Sequence, residues 1–302
     1  MSKRIGFIIL SHANPPQLLR LVRCLQRVYD NPPIACHHDF AQCPFSPDEF
    51  PSEVRFVSPH INTRWGQFSL VAAALRALKL LYRDVAPDWF VLMSGADYPT
   101  MRSEKVLEEL ASGGVDALLD FREITDVPSN SDFPSAENPA LRYYDSPEHL
   151  ALAWQRYVGS NVWFPIIRSG PRIGRHTIYL PFPAWRLPFG PRFKAFCGDQ
   201  WFTGNQKVAE ILLNPTDKHM QLRRHLRLRT VPDECYYHTI LGNTPHLRIS
   251  RATRRFADWR CGGHPRNLGL SDLTAITSSN AYFARKFAPD SPVLNEIDRM
   301  LS

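Results

Sequence analysis

The stretch DWFVLMSGADYPT, residues 88–100, constrains the fold most, because its character changes halfway along. Trp89 to Met93 form an unbroken apolar run, which is typical of a strand buried on both faces of a sheet. A glycine turn that carries Asp97 then ends the run. In open α/β sheets, ligands bind beyond the carboxyl ends of the strands, so Asp97 is a candidate binding residue. An ordinary strand-to-helix loop, in which Asp97 only stabilises the turn, is the structural alternative.

Apolar strands and amphipathic helices alternate over the first part of the chain. The predicted strands cover residues 4–12, 33–36, 55–59, 89–93 and 116–120. The predicted helices start after Asn14, at Trp65 and at Ser103, which we expect to cap its helix. This alternation predicts an α/β fold with three layers around a mostly parallel sheet. The GxGxxG and GxxxxGK[ST] motifs are absent from the sequence, so dinucleotide-binding and P-loop sites are not indicated.

The second half of the chain is less periodic. Residues 126–147 are polar and rich in proline, which predicts a long surface loop, and residues 163–196 show no clean period. Residues 196–213 then run from a glycine turn into a helix. Trp201 in that turn is a candidate for stacking on a sugar, although a buried tryptophan is the structural alternative.

The composition suits a large globular core. Of the 302 residues, 44% are hydrophobic, which is enough for one large α/β domain or two closely packed ones. No apolar run approaches the length of a membrane span. The six cysteines show no CxxC spacing, which favours reduced thiols and a cytoplasmic chain.

The net charge of +7 comes mainly from one segment. Between Lys218 and Arg266 the chain has 11 Lys and Arg residues against 3 Asp and Glu residues. Such a segment suits nucleic acid, an anionic membrane surface or a small polyphosphate. No RNA-binding sheet motif or zinc finger accompanies it, so nucleic acid is not the favoured partner. A solvated helix face is the favoured interpretation for Arg223, Arg224, Arg227 and Arg229.

The stretch TVPDECYYHTILGN, residues 230–243, places two carboxylates at a predicted helix start. Pro232 suits the first helical position, and Asp233 and Glu234 fall in the first turn, where the helix dipole favours negative charge. That is a complete structural explanation. The functional alternative is that a carboxylate held there, beside Tyr236 and a basic segment, acts as a general base.

Seven motifs taken together resemble one enzyme family. They are the strand ending in Ser11 and His12, the turn of His37, His38 and Asp39, RWGQFSLVAAALRALKLL, VLMSGADYPT, GDQW, PDE and FARKF. In this order and spacing, the chain is similar to the core-2/I-branching N-acetylglucosaminyltransferases and their peptide O-xylosyltransferase relatives. It resembles a short bacterial-type member, and the similarity extends over nearly the whole chain.

The resemblance implies a GT-A-type glycosyltransferase that inverts the anomeric carbon and uses a UDP-sugar without a metal ion. N-acetylglucosamine is the preferred donor sugar, xylose is the alternative, and the acceptor is a hydroxyl of a glycan or glycolipid. One domain over residues 1–302 is implied, with a nucleotide-binding half at 1–125 and an acceptor and catalytic half at 126–302. We expect the enzyme in the cytoplasm or at the inner face of the membrane that carries its acceptor.

The resemblance also implies roles for individual residues. Glu234 falls on the catalytic base, and Arg266 and Lys286 fall on two cations that bind pyrophosphate. The other predicted donor-binding residues are Leu10, Ser11, His12, Asp39, Arg64 and Asp97. The predicted acceptor-binding residues are Trp201, Tyr236 and Trp259.

The proposed chemistry is coherent without a metal ion. Displacement of UDP needs a base for the acceptor proton and positive charge for the departing diphosphate. The chain has no Asp-x-Asp motif after a suitable strand, whereas fixed Arg and Lys side chains can supply the charge. The cysteines and histidines within residues 36–43 fit no common zinc spacing. A catalytically inactive carbohydrate-binding protein is the alternative, which the joint presence of Glu234, Arg266 and Lys286 disfavours.

Overall fold

The computed structural model describes residues 4–124, 147–159, 187–260 and 264–302. The strands are β1 (Ile5–Ser11), β2 (Ile34–His38), β3 (Val54–Phe56), β4 (Trp89–Ser94), β5 (Asp97–Pro99), β6 (Ala117–Leu118), β7 (Arg122–Glu123), β8 (Phe196–Cys197), β9 (Thr203–Asn205), β10 (Ile249–Ser250), β11 (Arg255–Ala257) and β12 (Phe283–Arg285). The helices are α1 (Pro15–Val28), α2 (Ser69–Asp84), α3 (Ser103–Ser112), α4 (Pro147–Tyr157), α5 (Gln206–Leu213), α6 (Asp217–Leu226), α7 (Tyr236–Gly242), α8 (Leu273–Ser278) and α9 (Val293–Leu301). The predicted loop at 126–147 and most of the irregular stretch at 163–196 lie outside the described residues.

The main sheet joins seven of the described strands in the order β10-β6-β9-β4-β1-β2-β3. Its neighbouring strands are parallel, except that β9 runs antiparallel to both β4 and β6. The predicted mostly parallel α/β sheet is therefore confirmed. The strand predicted from residues 89–93 lies near the centre of the sheet and pairs with β1 from Trp89 to Ser94.

Alternate side chains of the sheet enter two separate hydrophobic layers. In β4, Phe90 and Leu92 join one buried cluster, whereas Trp89, Val91 and Met93 join the other. The first cluster contains the buried faces of α2, α5, α6 and α7, and the second contains those of α1, α3, α8 and α9. Because strand side chains alternate with a period of two, the apolar run predicted to be buried on both faces supplies both layers.

A smaller sheet carries the end of the chain to the carboxyl end of β4. In this sheet β12 lies between β11 and β5, and it pairs antiparallel with β5, so that Arg285 lies opposite Asp97. Since β5 begins only three residues after β4 ends, this register places Arg285 and Lys286 beside the turn predicted to meet a ligand. In the main sheet, β9 lies between β4 and β6, so the two halves of the chain share one sheet.

Two predicted helix starts were wrong. The helix predicted from Trp65 begins at Ser69, because Gly66 has a positive φ of 72°, which interrupts a right-handed helix. The residue before α3 is Arg102, and Ser103 is its first helical residue, buried and without a capping hydrogen bond. The short turn Trp65 to Phe68 therefore lies outside α2.

Within the described ranges, no helix combines the length and the apolar character needed to cross a lipid bilayer. In the same ranges Cys24, Cys36, Cys43, Cys197 and Cys235 are free thiols.

Candidate active site

A cavity of about 410 Å³ opens at the carboxyl ends of β1 and β4. The first half of the chain contributes residues 10–14 and 94–96 to its walls. The second half contributes residues 199–201, together with Glu234 and Lys286. Residues far apart in sequence therefore meet at the sheet edge where an α/β fold binds its ligands.

The junction between β1 and β4 forms a rigid floor. Gly95 donates its backbone N–H to the carbonyl of Leu10 at 2.9 Å, and a Cβ on Gly95 would lie 3.3 Å from Ser11 Oγ. The His38 ring bridges Ser11 Oγ at 3.1 Å and the carbonyl of Cys43 at 2.6 Å. A carbonyl can only accept, so Nε2 carries the proton and Nδ1 accepts from Ser11. Burial lowers the pKa of His38, which favours this neutral form.

Asp39 supports the cavity wall from behind. Its carboxylate accepts hydrogen bonds from Gln42 Nε2 at 2.6 Å and from the backbone and hydroxyl of Thr63 at 2.6 and 2.8 Å. Burial opposes ionisation of Asp39, but these hydrogen bonds outweigh it and lower its pKa to about 2. Asp39 is fully buried and does not line the cavity, whereas Gln42 and Thr63 do. The prediction that Asp39 meets the donor directly is corrected to a positioning role.

Asp97 is buried beneath the cavity, contrary to the prediction of a direct donor contact. Its carboxylate lies 3.0 Å from Arg285 Nε and 3.3 Å from Arg255 Nη1, and it accepts a hydrogen bond from Ser94 Oγ at 2.5 Å. The side chains of Asp97 and Arg255 are almost completely buried. Asp97 therefore fixes two arginines and closes the turn after β4.

Two cations from the end of β12 line the cavity. Arg285 contacts Asp97 and lies over the ring of Trp201, with its guanidinium carbon 4.7 Å from the ring centroid. Lys286 is half-buried, and none of the described residues accepts a hydrogen bond or ion pair from its Nζ. Burial, with a contribution from Arg285, lowers the pKa of Lys286. A partly desolvated cation in this position is suited to hold an anionic ligand.

The GDQW and PDE motifs lie against each other. Gly198 donates its backbone N–H to the carbonyl of Glu234 at 3.0 Å, and a Cβ on Gly198 would lie only 1.9 Å from the carbonyl oxygen of Asp120. Glycine is therefore required for this close approach. His238 donates from Nε2 to the carbonyl of Asp199 at 3.0 Å. These contacts hold the side chains of Asp199 and Glu234 at the cavity wall.

Three carboxylates, those of Asp199, Asp233 and Glu234, line this side of the cavity. Burial, reinforced by the negative charge of Asp199, raises the pKa of Asp233. Burial also raises the pKa of Asp199, while Arg285 and Arg255 oppose that shift. The Glu234 side chain is 20% exposed, and Arg156 Nη1 lies 3.8 Å from its carboxylate. Glu234 belongs to a 3-10 turn at Pro232–Glu234 that precedes α7, and not to the first turn of an α-helix.

Arg266 does not line the cavity, although it was predicted to bind pyrophosphate. Its guanidinium forms a 2.6 Å ion pair with Asp258 and a second, very short one with Asp272. Its backbone N–H also donates to the carbonyl of Asp258. Because Trp259 and Pro265 do line the cavity, Arg266 closes the loop that presents them.

The aromatic residues divide between the cavity and the core. Trp201 is 8% exposed and lines the cavity with Trp259, and their contact with an acceptor stays a prediction. Tyr236 is only 1% exposed and packs edge-on against Phe68, so its predicted sugar contact is corrected to a core role. Trp65 lines the cavity and is 66% exposed. Trp65 was not predicted as a site residue, because the spacing of the residues that follow it predicts a helix that begins at Trp65.

Three further predictions concern His12, Arg64 and the basic segment. His12 is exposed and lines the cavity, whereas Arg64 is exposed but does not line it. Arg224 and Arg227 are exposed as expected of a solvated face. Arg229 is only 2% exposed and donates to the carbonyls of Arg156 and Gly159, so the solvated interpretation is wrong there.

The described residues contain no cluster of three or more His, Cys, Asp or Glu side chains that could hold a metal ion. The histidines of the turn after β2 are used within the fold: His37 Nε2 accepts from the backbone of Ile61 at 2.9 Å, and both nitrogens of His38 are bonded. Burial lowers the pKa of His37 to about 4, which keeps it a neutral acceptor.

A family model described as Core-2/I-Branching enzyme matches residues 39–125 and 170–279, well over half of the chain. The chain belongs to this family. The matched ranges contain the carboxyl end of β4 and the segment that carries Asp199 and Glu234. The resemblance inferred from the seven motifs is therefore confirmed.

Curated relatives of this core-2/I-branching chain are distant. Beta-glucuronosyltransferase GlcAT14A of Arabidopsis thaliana is 27% identical over 237 residues, which are 76% of this chain and 46% of the relative. Xylosyltransferase 1 of Rattus norvegicus is 24% identical over 82% of this chain and 29% of the relative. Xylosyltransferase 2 of the same species is also 24% identical, over 82% and 27%. The chain thus spans less than half the length of these relatives.

Proposed function

We propose that the chain is an inverting glycosyltransferase that moves a sugar from a UDP-sugar to a hydroxyl of a glycan or glycolipid without a metal ion. The observation that carries the proposal is the arrangement of opposite charges in one cavity. Glu234 lies on one wall, and the cations Arg285 and Lys286 lie on another. Displacement at an anomeric carbon needs both charges, one for the incoming proton and one for the leaving diphosphate.

In this proposal Glu234 acts as the general base. The acceptor oxygen attacks the anomeric carbon, its proton passes to the Glu234 carboxylate, and the bond to the diphosphate oxygen breaks with its electron pair on UDP. The Glu234 side chain is 20% exposed, which gives its carboxylate access to the cavity. The hydrogen bond between Gly198 and the Glu234 carbonyl holds the backbone in place during the reaction.

Lys286 stabilises the departing diphosphate, and Arg285 supports it. No described residue forms an ion pair with the Lys286 ammonium, so no existing contact has to break before it binds an anion. Arg285 is oriented beforehand by Asp97 and by the ring of Trp201. Fixed cations of this kind stabilise negative charge without reorganisation, which is the role of a divalent metal in other enzymes.

The function is tested by incubating the protein with UDP-N-acetylglucosamine, UDP-xylose and other UDP-sugars in EDTA and following release of UDP. N-acetylglucosamine is the first donor to test because of the motif resemblance, and xylose is the alternative. Slow UDP release from at least one donor is expected. If UDP itself binds but no donor is hydrolysed or transferred, the chain is a catalytically inactive carbohydrate-binding member.

Lys286→Ala is expected to weaken UDP binding by about 1.5–3 kcal/mol, the scale of a hydrogen bond to a charged group. Uridine, which lacks the diphosphate, should bind equally to both proteins. Titration calorimetry with the two ligands measures the difference. Lys79→Ala is the matched control, because Lys79 is exposed on α2 and outside the cavity. Equal losses for uridine and UDP would assign Lys286 to the fold and remove it from the diphosphate site.

UDP affinity is expected to change by less than about twofold on addition of EDTA, because the cavity supplies its own cations. The same affinity should fall as salt is raised, since ions screen a charge-based contact at a partly exposed lysine. Calorimetry in buffers with EDTA, with manganese and with increasing sodium chloride gives all three values. Loss of UDP binding in EDTA and its recovery in manganese would contradict metal-independent binding.

A further inference from the structure

The charge of the cavity wall changes along the edge of the main sheet. At the flank beyond β1, the side chains that line the cavity are His37, Gln42 and Thr63. These are uncharged groups, because burial keeps His37 neutral. The carboxylates that line the cavity, Asp199 and its neighbours in the PDE turn, lie elsewhere on its wall.

The order of strands explains this separation. From β4, the strands β1, β2 and β3 continue in one direction, and β9 and β6 continue in the other. Residues 199–201 lead directly into β9, which runs antiparallel to β4 and so begins at the carboxyl end of β4. The PDE turn is tied to this segment through Gly198 and Glu234. Lys286 follows β12, which is joined through β5 to the turn after β4.

The acidic flank offers unused polar groups. Oδ1 of Asp233 and Nε2 of Gln200 are buried, and neither has a hydrogen-bond partner in the described structure. No described residue donates a hydrogen bond to the side chain of Asp199. Both aspartates and Gln200 line the cavity. The hydroxyl groups of a sugar can donate hydrogen bonds to such carboxylates and accept them from such an amide.

Burial raises the pKa of Asp199 and of Asp233, the latter to about 7, so this flank carries its full negative charge only at alkaline pH, where that charge is only partly balanced. Arg285 and Arg255 share the single carboxylate of Asp97, so their positive charge is compensated in part beneath the cavity. Arg156 lies 3.8 Å from Glu234 and balances that carboxylate in part. Among the described residues, no cationic side chain donates a hydrogen bond to the carboxylate of Asp199 or Asp233. A further negative charge placed here would be repelled.

We propose that the acidic flank formed by Asp199 and Asp233 receives the donor sugar and selects an uncharged sugar over a uronic acid. This inference rests on the proposed function and narrows its donor class. Relatives of the chain include proteins named as glucuronosyltransferases and as xylosyltransferases. Selection of an uncharged donor sugar would separate this chain from the glucuronosyltransferases. The selection works by repulsion of the wrong ligand as well as by hydrogen bonds to the right one.

The test compares UDP-glucose with UDP-glucuronate, which differ only in the group at C6. Titration calorimetry at about pH 8.5, above the raised pKa of Asp233, and at one ionic strength, with UDP as the reference ligand, gives the ratio of the two dissociation constants. UDP-glucuronate is expected to bind at least about tenfold more weakly than UDP-glucose, the scale of one repelled charge at a partly screened site. A ratio near one, or tighter binding of UDP-glucuronate, would overturn the inference.

Variants locate the source of the discrimination. Asp199→Asn and Asp233→Asn keep the side-chain shape and remove the charge, so each should lower the ratio by about threefold or more. Asp30→Asn is the matched control, because Asp30 is exposed beyond the end of α1 that lies away from the cavity. The ratio should not change in this control. If neither cavity variant lowers the ratio, the acidic flank does not determine donor charge.

The outcomes also separate this inference from the proposed function. If UDP binds and the two UDP-sugars bind equally well, the donor-charge inference fails and the nucleotide-sugar site remains. If UDP itself does not bind, the proposed function fails. Melting temperatures of all variants establish that they are folded, and the comparison on the unaltered protein needs no variant.

Discussion

Replacement of Glu234 by glutamine is expected to lower sugar transfer by about 10²–10⁴-fold, the usual share of general-base catalysis. Glutamine keeps the shape of the side chain but cannot take the acceptor proton. UDP affinity should be unchanged, because the predicted diphosphate contact lies at Lys286. Transfer rate, UDP affinity and melting temperature are measured on the same variant.

The structural explanation of Glu234 gives a different result. Glu234 lies in the 3-10 turn before α7, and a carboxylate there that only stabilises the start of the following helix contributes about 0.3–1 kcal/mol to folding and little to activity. Glu104→Gln is the matched control, since Glu104 lies in the first turn of α3 and outside the cavity. Near-normal transfer by Glu234→Gln with a lowered melting temperature would make Glu234 a structural residue. Asp199, which lines the same wall, would then be tested as the base.

Replacement of Asp97 by alanine is expected to lower the free energy of unfolding by about 3–5 kcal/mol, the cost of leaving a buried charge without its partner. Asp97 contacts both Arg255 and Arg285, and all three side chains are at least nine-tenths buried. Unfolding in urea, followed by circular dichroism, measures the loss. UDP affinity should fall as well, because Arg285 would lose the contact that orients it.

A surface ion pair provides the comparison for Asp97. Glu296 pairs with Arg299 one turn along α9, and both side chains are substantially exposed. Glu296→Ala should cost no more than about 1 kcal/mol, because solvent screens such pairs. Similar small losses in both variants would show that the Asp97 contacts contribute little and that the arginines find other partners when it is removed.

The sequence was sufficient to predict five of the seven strands of the main sheet and the edge at which the cavity lies, but not the short strands β9 and β10. The apolar run at Trp89 to Met93 and the helical spacing of apolar residues in α1 are local sequence patterns. They arise because the strand is buried within the sheet and one face of the helix packs against it. The glycine turn after β4 marks the edge of the sheet where the cavity lies. Lys286 was located because FARKF is a motif of the family, and its neighbour Arg285 is part of the same motif.

The partners of charged residues could not be predicted in the same way. Asp97 meets Arg255 and Arg285, which are more than 150 residues away in sequence, and no local pattern encodes that pairing. Arg266 was assigned to pyrophosphate from its position in the motif order, but Asp258 and Asp272 are close enough along the chain to hold it. Trp65 was hidden in an apparent helix, and the signal that could have revealed it is Gly66.

The pairing of β12 with β5 also sets the order in which the site is completed during synthesis. The strand Phe283–Arg285 leaves the ribosome long after β4 and β5, yet Lys286 at its end supplies a cation of the cavity. Until that strand pairs with β5, a nascent chain has the cavity wall beside β1 and the carboxylates of the opposite flank. The two cations Arg285 and Lys286 are still missing from the cavity. If the chain acts as proposed, its diphosphate site is therefore complete only after β12 has paired with β5.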